Sequence, residues 1–146
     1  TREIKMPNII DVAYHQTGES IKTNKYGMRE MQERAYKYRD SQYLLLKAPP
    51  ASGKSRALMF IALDKLRNQG IKKVIIAVPE RSIGGSFAPC ELTKYGFLAD
   101  WTPDDKYNLC TPGGEQSKVE AFKKFLTEDK NAEILICTEV HGSELC

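Results

Sequence analysis

The stretch 43–56, which reads YLLLKAPPASGKSR, constrains the fold more than any other part of the chain. Its first four residues are apolar and predict a short buried strand. A Pro/Ala/Ser/Gly turn follows, and the apolar-periodic segment 57–66 then predicts a helix that ends before Gly70. A strand, a tight loop and a helix in that order form the setting in which the pattern GxxxxGK[ST] is informative. The chain carries this pattern from Ala48 to Ser55 as AxxxxGKS, with Ala in place of the first Gly.

The residue types of this loop suit a bound phosphate. Gly53 lets the backbone approach a ligand closely because it has no Cβ. The amides of residues 51–55 are expected to point inward at the start of a helix, where unpaired N–H groups and the helix dipole attract anions. Lys54 can reach the β- and γ-phosphates of a nucleotide, and the hydroxyl of Ser55 can bind Mg²⁺. The predicted nucleotide contacts from this segment are therefore Pro50, Ala51, Ser52, Gly53, Lys54, Ser55 and Arg56, with Lys54 and Ser55 as the catalytic pair.

The same residues have an ordinary alternative interpretation, in which Ser52 caps a helix after a polar turn and Lys54 is solvated. The flanking strand and helix favour nucleotide binding over this alternative.

Length and composition limit the class of protein to which the chain can belong. A chain of 146 residues with 41% hydrophobic and 28% charged residues is typical of one globular domain. No apolar run reaches the roughly 20 residues of a membrane span, and no signal peptide opens the chain, so we expect a cytoplasmic location. The four cysteines show no CxxC spacing and no matched histidines, which favours free thiols. The net charge of +3 argues neither for nor against nucleic acid.

Further apolar segments alternate with helical patterns along the chain. We predict strands at 72–79, 107–111 and 133–138, a short strand or turn near 9–12, and helices at 27–39 and 117–127. This alternation predicts an α/β domain with a mainly parallel sheet, in which strand 72–79 is covered on both faces. Residues 1–26 form an N-terminal lead-in segment to which the sequence assigns no role. Residues 86–106 are not assigned, with Trp101 either a packing anchor or a surface feature.

The helical patterns also predict which side chains face inward. In helix 27–39 these are Met28, Met31, Ala35 and Tyr38. In helix 117–127 they are Val119, Phe122 and Leu126, while Lys118, Glu120 and Lys124 are expected outside.

Four features in sequence order carry a more specific resemblance. Gln32 lies on the helix upstream of the Gly-Lys-Ser loop, a strand ends in the sequence VPER at 78–81, the pair Gly113-Gly114 precedes a helix, and a strand ends in Thr138. Together they resemble the first RecA-like domain of superfamily 2 helicases of the DEAD/DEAH-box type, nearest to helicase subunits related to restriction enzymes. The resemblance covers residues 27–145. It implies a P-loop NTPase fold, with 27–146 an incomplete RecA-like ATP-binding domain.

The resemblance also implies roles for single residues. Gln32 matches the glutamine that reads the adenine edge, with Arg29 close by. Lys54 and Ser55 match the contacts to phosphate and magnesium. The residues that match contacts to a nucleic-acid backbone are Pro79, Arg81, Gly114 and Thr138, with Glu80 standing where Thr is usual. Taken singly, each of these has an ordinary interpretation as a turn, a strand end or a solvated side chain.

The function implied by the resemblance is that of an ATP-dependent helicase or translocase on DNA or RNA, with ATP and Mg²⁺ as cofactors. The implied partners are nucleic acid, a second RecA-like domain and a partner subunit of a restriction or repair complex. The chain departs from the family because no apolar strand ends in the Asp-Glu pair that supports hydrolysis. We therefore expect a fragment that hydrolyses little ATP by itself. The alternatives are a non-catalytic, nucleotide-responsive nucleic-acid-binding module and a P-loop kinase.

Overall fold

The computed structural model describes residues 9–13, 23–110 and 115–138. The strands are β1 Ile9–Ala13, β2 Tyr43–Lys47, β3 Val74–Val78 and β4 Ile134–Thr138, and the α-helices are α1 Glu30–Tyr36, α2 Lys54–Asn68 and α3 Glu115–Thr127. Strand β1 pairs with β2 and β3 pairs with β4, both in parallel. The predicted α/β class with parallel pairing is confirmed at this level. The described strands form two separate two-stranded sheets instead of one continuous sheet.

The chain divides into two compact units, and the first comprises Thr1–Lys65 and Glu91–Ala99. Ala35 of α1 and Ile61 of α2 are buried at its centre, with half-buried side chains of α1 and β2 packed around them. The prediction of a buried strand at 43–46 is wrong for β2, because its side chains alternate and those of Tyr43 and Leu45 are 56% and 47% exposed. Only one face of β2 is partly covered, as expected for a strand with period-two alternation.

The second unit comprises Leu66–Cys90 and Asp100–Cys146. Every residue of β4 is buried. The core beside it is formed by Tyr107, Leu109, Phe122, Phe125, Leu135 and Cys137. The expectation that strand 72–79 is covered on both faces is wrong, since β3 alternates and Ile75 is 43% exposed.

Residues 107–110, the described part of the segment 107–111, do not form the predicted strand. A 3₁₀ turn, Asp105–Tyr107, comes first, and the carboxylate of its cap residue Asp104 accepts a hydrogen bond from the Lys106 amide. A single parallel bridge to Ile136 follows, in which the amide of Leu109 donates to the carbonyl of Ile136 over 2.7 Å. The 3₁₀ turn prevents these residues from forming a continuous strand. Buried side chains and this single bridge hold the segment in place instead.

Trp101 is a packing anchor. Its side chain is fully buried, and its indole N–H donates to the carbonyl of Phe87 over 2.8 Å. An antiparallel bridge joins Trp101 to Cys90. The unassigned segment 86–106 contains the end of the 3₁₀ turn Arg81–Phe87, the 3₁₀ turn Thr93–Tyr95 and the start of a third 3₁₀ turn, Asp105–Tyr107.

The helices are confirmed in type, but two of their faces differ from the prediction. Tyr38 is 45% exposed because α1 ends at Tyr36. In α3 the inward face carries Lys118, Phe122 and Phe125, while Leu126 is 48% exposed. Among the described helices, none is long and apolar enough to cross a bilayer.

Candidate nucleotide and nucleic-acid site

The phosphate-type loop is built by the turn between β2 and α2. The amide of Ser52 donates to the carbonyl of Pro49 over 3.3 Å, and Gly53 adopts φ +92°. The carbonyl of Gly53 then accepts the first helical hydrogen bond, from Ala57. The amides at the start of α2 consequently lack intrahelical partners, and the first turn of this helix contains no acidic residue. This end of α2 therefore favours an anion.

Ser52 supplies an independent indication of a ligand. Its side chain is 8% exposed, and its hydroxyl oxygen has no hydrogen-bond partner in the structure as described. Leaving a buried hydroxyl unpaired costs about 1–3 kcal/mol. A phosphate oxygen in the loop would accept this proton, so the loop residues fit the phosphates of a nucleotide.

Ala51 lies in the left-handed region with φ +62°, a conformation that favours glycine. Holding a residue with a Cβ there costs on the order of 1 kcal/mol. Ala51 is among the predicted nucleotide contacts, but nothing in the sequence around it indicates its strained backbone. Its conformation directs the loop backbone between Pro50 and Gly53.

Gln32 is tied to this loop. Its side chain is 2% exposed, its amide oxygen accepts from the backbone N–H of Arg29 over 2.8 Å, and its amide nitrogen donates to the carbonyl of Gly53 over 3.0 Å. A glutamine amide has two donor hydrogens and two acceptor lone pairs, so one of each remains after these bonds. The interpretation of Gln32 as a solvated helix residue is wrong.

The approach between α1 and the loop is close. A Cβ built on Gly53 would lie 2.6 Å from the amide nitrogen of Gln32 and 3.9 Å from a guanidinium nitrogen of Arg29. Arg29, Gln32 and Gly53 are thus brought together at the start of α2. Lys54, Ser55 and Arg56 occupy its first turn and are half-buried. The guanidinium of Arg56 also lies 5.9 Å from the ring centroid of Tyr95.

The residues matched to nucleic-acid contacts lie in the second unit. Val78, the last residue of β3, is in register with Thr138, the last residue of β4. Pro79 directly follows Val78 and is exposed, and Arg81 begins the 3₁₀ turn after it. The parallel pairing therefore brings the backbone positions of these residues to one sheet edge, as expected for ligand-binding loops of α/β folds. Gly114 lies outside the described residues.

The described residues include no group of three or more His, Cys, Asp or Glu that could hold a metal ion. A magnesium ion at the loop would depend on Ser55 and on nucleotide oxygens, which is common for this ion. Cys137 is a free thiol, and burial raises its pKa to about 11.

Sequence comparison identifies a related protein. Over 133 residues the chain is 62% identical to a protein of Bacillus subtilis (strain 168) named "Putative ATP-dependent helicase YeeB". The chain therefore has a homologue that carries a helicase name. The match covers 91% of this chain, but the chain spans only 22% of the length of that relative. No family model and no solved structure matches the chain.

Proposed function

We propose that this chain is the ATP-binding part of an ATP-dependent nucleic-acid helicase or translocase, with an incomplete RecA-like P-loop domain of the superfamily 2 DEAD/DEAH-box type. The observation that carries the proposal is the buried amide of Gln32, which bonds to the carbonyl of Gly53 in the phosphate-type loop. This bond ties α1 to the loop and leaves one donor hydrogen and one lone pair of the Gln32 amide for a ligand. The name of the Bacillus subtilis relative supports the same function.

In this proposal, the loop holds the phosphates of ATP. The amides at the start of α2, the hydroxyl of Ser52 and the ammonium of Lys54 bind phosphate oxygens, and the hydroxyl of Ser55 would hold Mg²⁺. When bound, the ion neutralises charge on the β- and γ-phosphates. Pro50 and Ala51 shape the backbone of the loop, and Arg56 lies at its exit into α2.

Gln32 would read the base. Adenine presents an N6 donor and an N7 acceptor on one edge. The donor hydrogen and the lone pair left on the Gln32 amide are the complementary set. Guanine presents an O6 acceptor in place of the donor, which the same pair matches less well. Arg29 would contribute through its position beside Gly53.

The carboxyl edge of β3 and β4 would bind nucleic acid. Pro79, Arg81 and Thr138, together with Gly114, would contact the sugar-phosphate backbone. Backbone contacts carry no base information, so DNA and RNA both suit this edge. A second RecA-like domain elsewhere in the protein would close on the strand when ATP binds, and a restriction or repair subunit would be its partner.

Lys54→Ala in the full-length protein tests the proposal. We expect nucleic-acid-stimulated ATP hydrolysis to fall by about a hundredfold or more. The substitution removes the positively charged ammonium that is positioned to stabilise the transferred phosphate. Turnover is measured by phosphate release with and without single-stranded DNA or RNA. Lys72→Ala, which removes an exposed lysine just before β3, is the matched control and should retain wild-type turnover. Stimulated turnover that survives Lys54→Ala would refute the proposed function.

A further inference from the structure

Lys118 is the most unusual charged residue in the second unit. The sequence predicted it on the outer face of its helix, yet the residue is 5% exposed. Its ammonium nitrogen is buried and has no hydrogen-bond partner in the part of the chain that the structure describes. Removing an ammonium group from water without a partner costs several kcal/mol. An anion that reached this ammonium would offset that cost.

The position of Lys118 on α3 fixes the side of the helix from which it projects. Lys118, Phe122 and Phe125 are spaced by four and three residues and therefore share one helix face. Phe122 and Phe125 belong to the core cluster that includes Leu135 and Cys137 of β4. Lys118 thus lies on the face of α3 that packs toward β4.

The direction of α3 relative to β3 follows from Lys73, which precedes β3. Its ammonium lies 4.4 Å from the ring centroid of Phe125 and donates to the carbonyls of Asp129 and Ala132. The C-terminal part of α3 therefore lies at the edge where β3 begins. Its N-terminal part points to the opposite edge, where β3 and β4 end.

The lengths of the elements agree with this placement. Lys118 lies seven residues before Phe125 in the sequence, which corresponds to about 10 Å along a helix axis. The strands β3 and β4, of five residues each, extend over about 13 Å from their first to last residue. Helical side chains also lean toward the N-terminus of their helix. Lys118 is thus placed at the edge that carries Pro79 and Thr138.

We propose that Lys118 binds a backbone phosphate of single-stranded nucleic acid at the carboxyl edge of the β3–β4 sheet, an inference that rests on the function proposed above. The ammonium of Lys118 would add a positive charge to that of Arg81, beside the uncharged predicted contacts from Pro79 and Thr138. The phosphate would offset the electrostatic cost of burying Lys118, for which the described residues offer no hydrogen-bond partner.

The test compares Lys118→Met with Lys124→Met in the full-length protein. Met preserves most of the apolar stem of Lys118 and removes the charge, whereas Lys124 is an exposed lysine on the same helix. Binding of a fluorescein-labelled oligo-dT is measured by anisotropy over a series of salt concentrations. We expect Lys118→Met to weaken binding about tenfold and to reduce the salt slope by about one. Lys124→Met should change neither quantity appreciably.

Thermal unfolding of the free protein distinguishes a ligand-binding lysine from a structural one. Since Lys118→Met removes a buried charge that has no partner among the described residues, its melting temperature should equal or exceed that of the wild type. A large fall in melting temperature would overturn the inference, because it would indicate an internal acidic partner. Unchanged oligonucleotide affinity and salt slope in Lys118→Met would overturn it while leaving the proposed function intact. A wild-type protein that binds no oligonucleotide would overturn both.

Discussion

At the scale of single residues, Gly53 is the position on which the candidate nucleotide site depends most. It combines φ +92° with a carbonyl that accepts hydrogen bonds from both Ala57 and Gln32. A Cβ there would meet the amide nitrogen of Gln32 at 2.6 Å. No other residue type satisfies both the backbone conformation and the close approach.

Gly53→Ala should therefore weaken binding of Mg-ATP by about tenfold or more, because loss of one to two hydrogen bonds corresponds to that change in affinity. Calorimetric titration of the full-length protein measures the effect. Gly70→Ala is a matched control: Gly70 also has a positive φ, of +71°, but a Cβ there would meet nothing within 4 Å. Gly70→Ala should lower only the local stability and leave the affinity for ATP unchanged. An equal loss of ATP affinity in both variants would show that backbone strain alone is responsible.

The sequence predicted the residue types of the site better than their environments. The order of Gln32, Gly53, Lys54 and Ser55 could be read directly, because spacing and residue type are visible in the sequence. The unpaired hydroxyl of Ser52 could not be predicted, since its burial depends on contacts between segments distant in sequence. The assignment of Gln32 to adenine and of Lys54 to phosphate remains a prediction.

At the scale of elements, a buried carboxylate links α1 to α2 in the first unit. The hydroxyl of Tyr36 donates to Asp64 over 3.0 Å, and the guanidinium of Arg39 lies 3.3 Å from the other carboxylate oxygen. Asp64 is 3% exposed. Burial first, and then the hydrogen bond to Asp64, raises the pKa of Tyr36 to about 12.

This pKa predicts how stability changes at high pH. An unfolded tyrosine loses its proton near pH 10, whereas Tyr36 in the folded chain retains it up to about pH 12. The stability contributed by Tyr36 is thus present below pH 10 and is lost as the pH rises from 10 to 12. Tyr36→Phe should lower the free energy of unfolding by about 1 kcal/mol at neutral pH and should flatten part of the decline above pH 10.

Urea unfolding of the chain between pH 7 and 11, followed by circular dichroism, measures both effects. Tyr38→Phe serves as the control, because Tyr38 lies just beyond α1 and is 45% exposed. A Tyr36→Phe profile that coincides with the wild-type profile would contradict the role of this link. Some decline is expected to remain, since burial raises the pKa of Tyr107 to about 12 as well.

Elements with strong patterns were predicted well, and errors appeared where tertiary contacts decide. The helix after the loop ends at Asn68, as Gly70 indicated. The segment 107–111 has a strand-like composition, but a 3₁₀ turn and one bridge replace the ladder. In α3 both Phe125 and Leu126 lie at a helical spacing from Phe122, so the sequence pattern fits either as the inward-facing residue. Packing against β4 decides that Phe125 is the buried one.

At the scale of the whole molecule, the sequence could predict that the strands pair in parallel, but not which strand pairs with which. Apolar strands that alternate with helices require crossover connections, which favour parallel neighbours. Which strands pair is decided by contacts that the local pattern does not contain, and each compact unit holds one pair. The chain spans 22% of the length of its Bacillus subtilis relative.

Nucleotide selectivity of the full-length protein tests the central claim most directly. Calorimetric titrations with Mg-ATP and Mg-GTP are compared for the wild type, for Gln32→Ala and for Gln116→Ala, which alters an exposed glutamine of α3. We predict that the wild type and Gln116→Ala prefer ATP, and that Gln32→Ala loses about tenfold of this preference because two base contacts disappear. An undiminished preference for ATP in Gln32→Ala, or no binding of ATP by the wild type, would contradict the account.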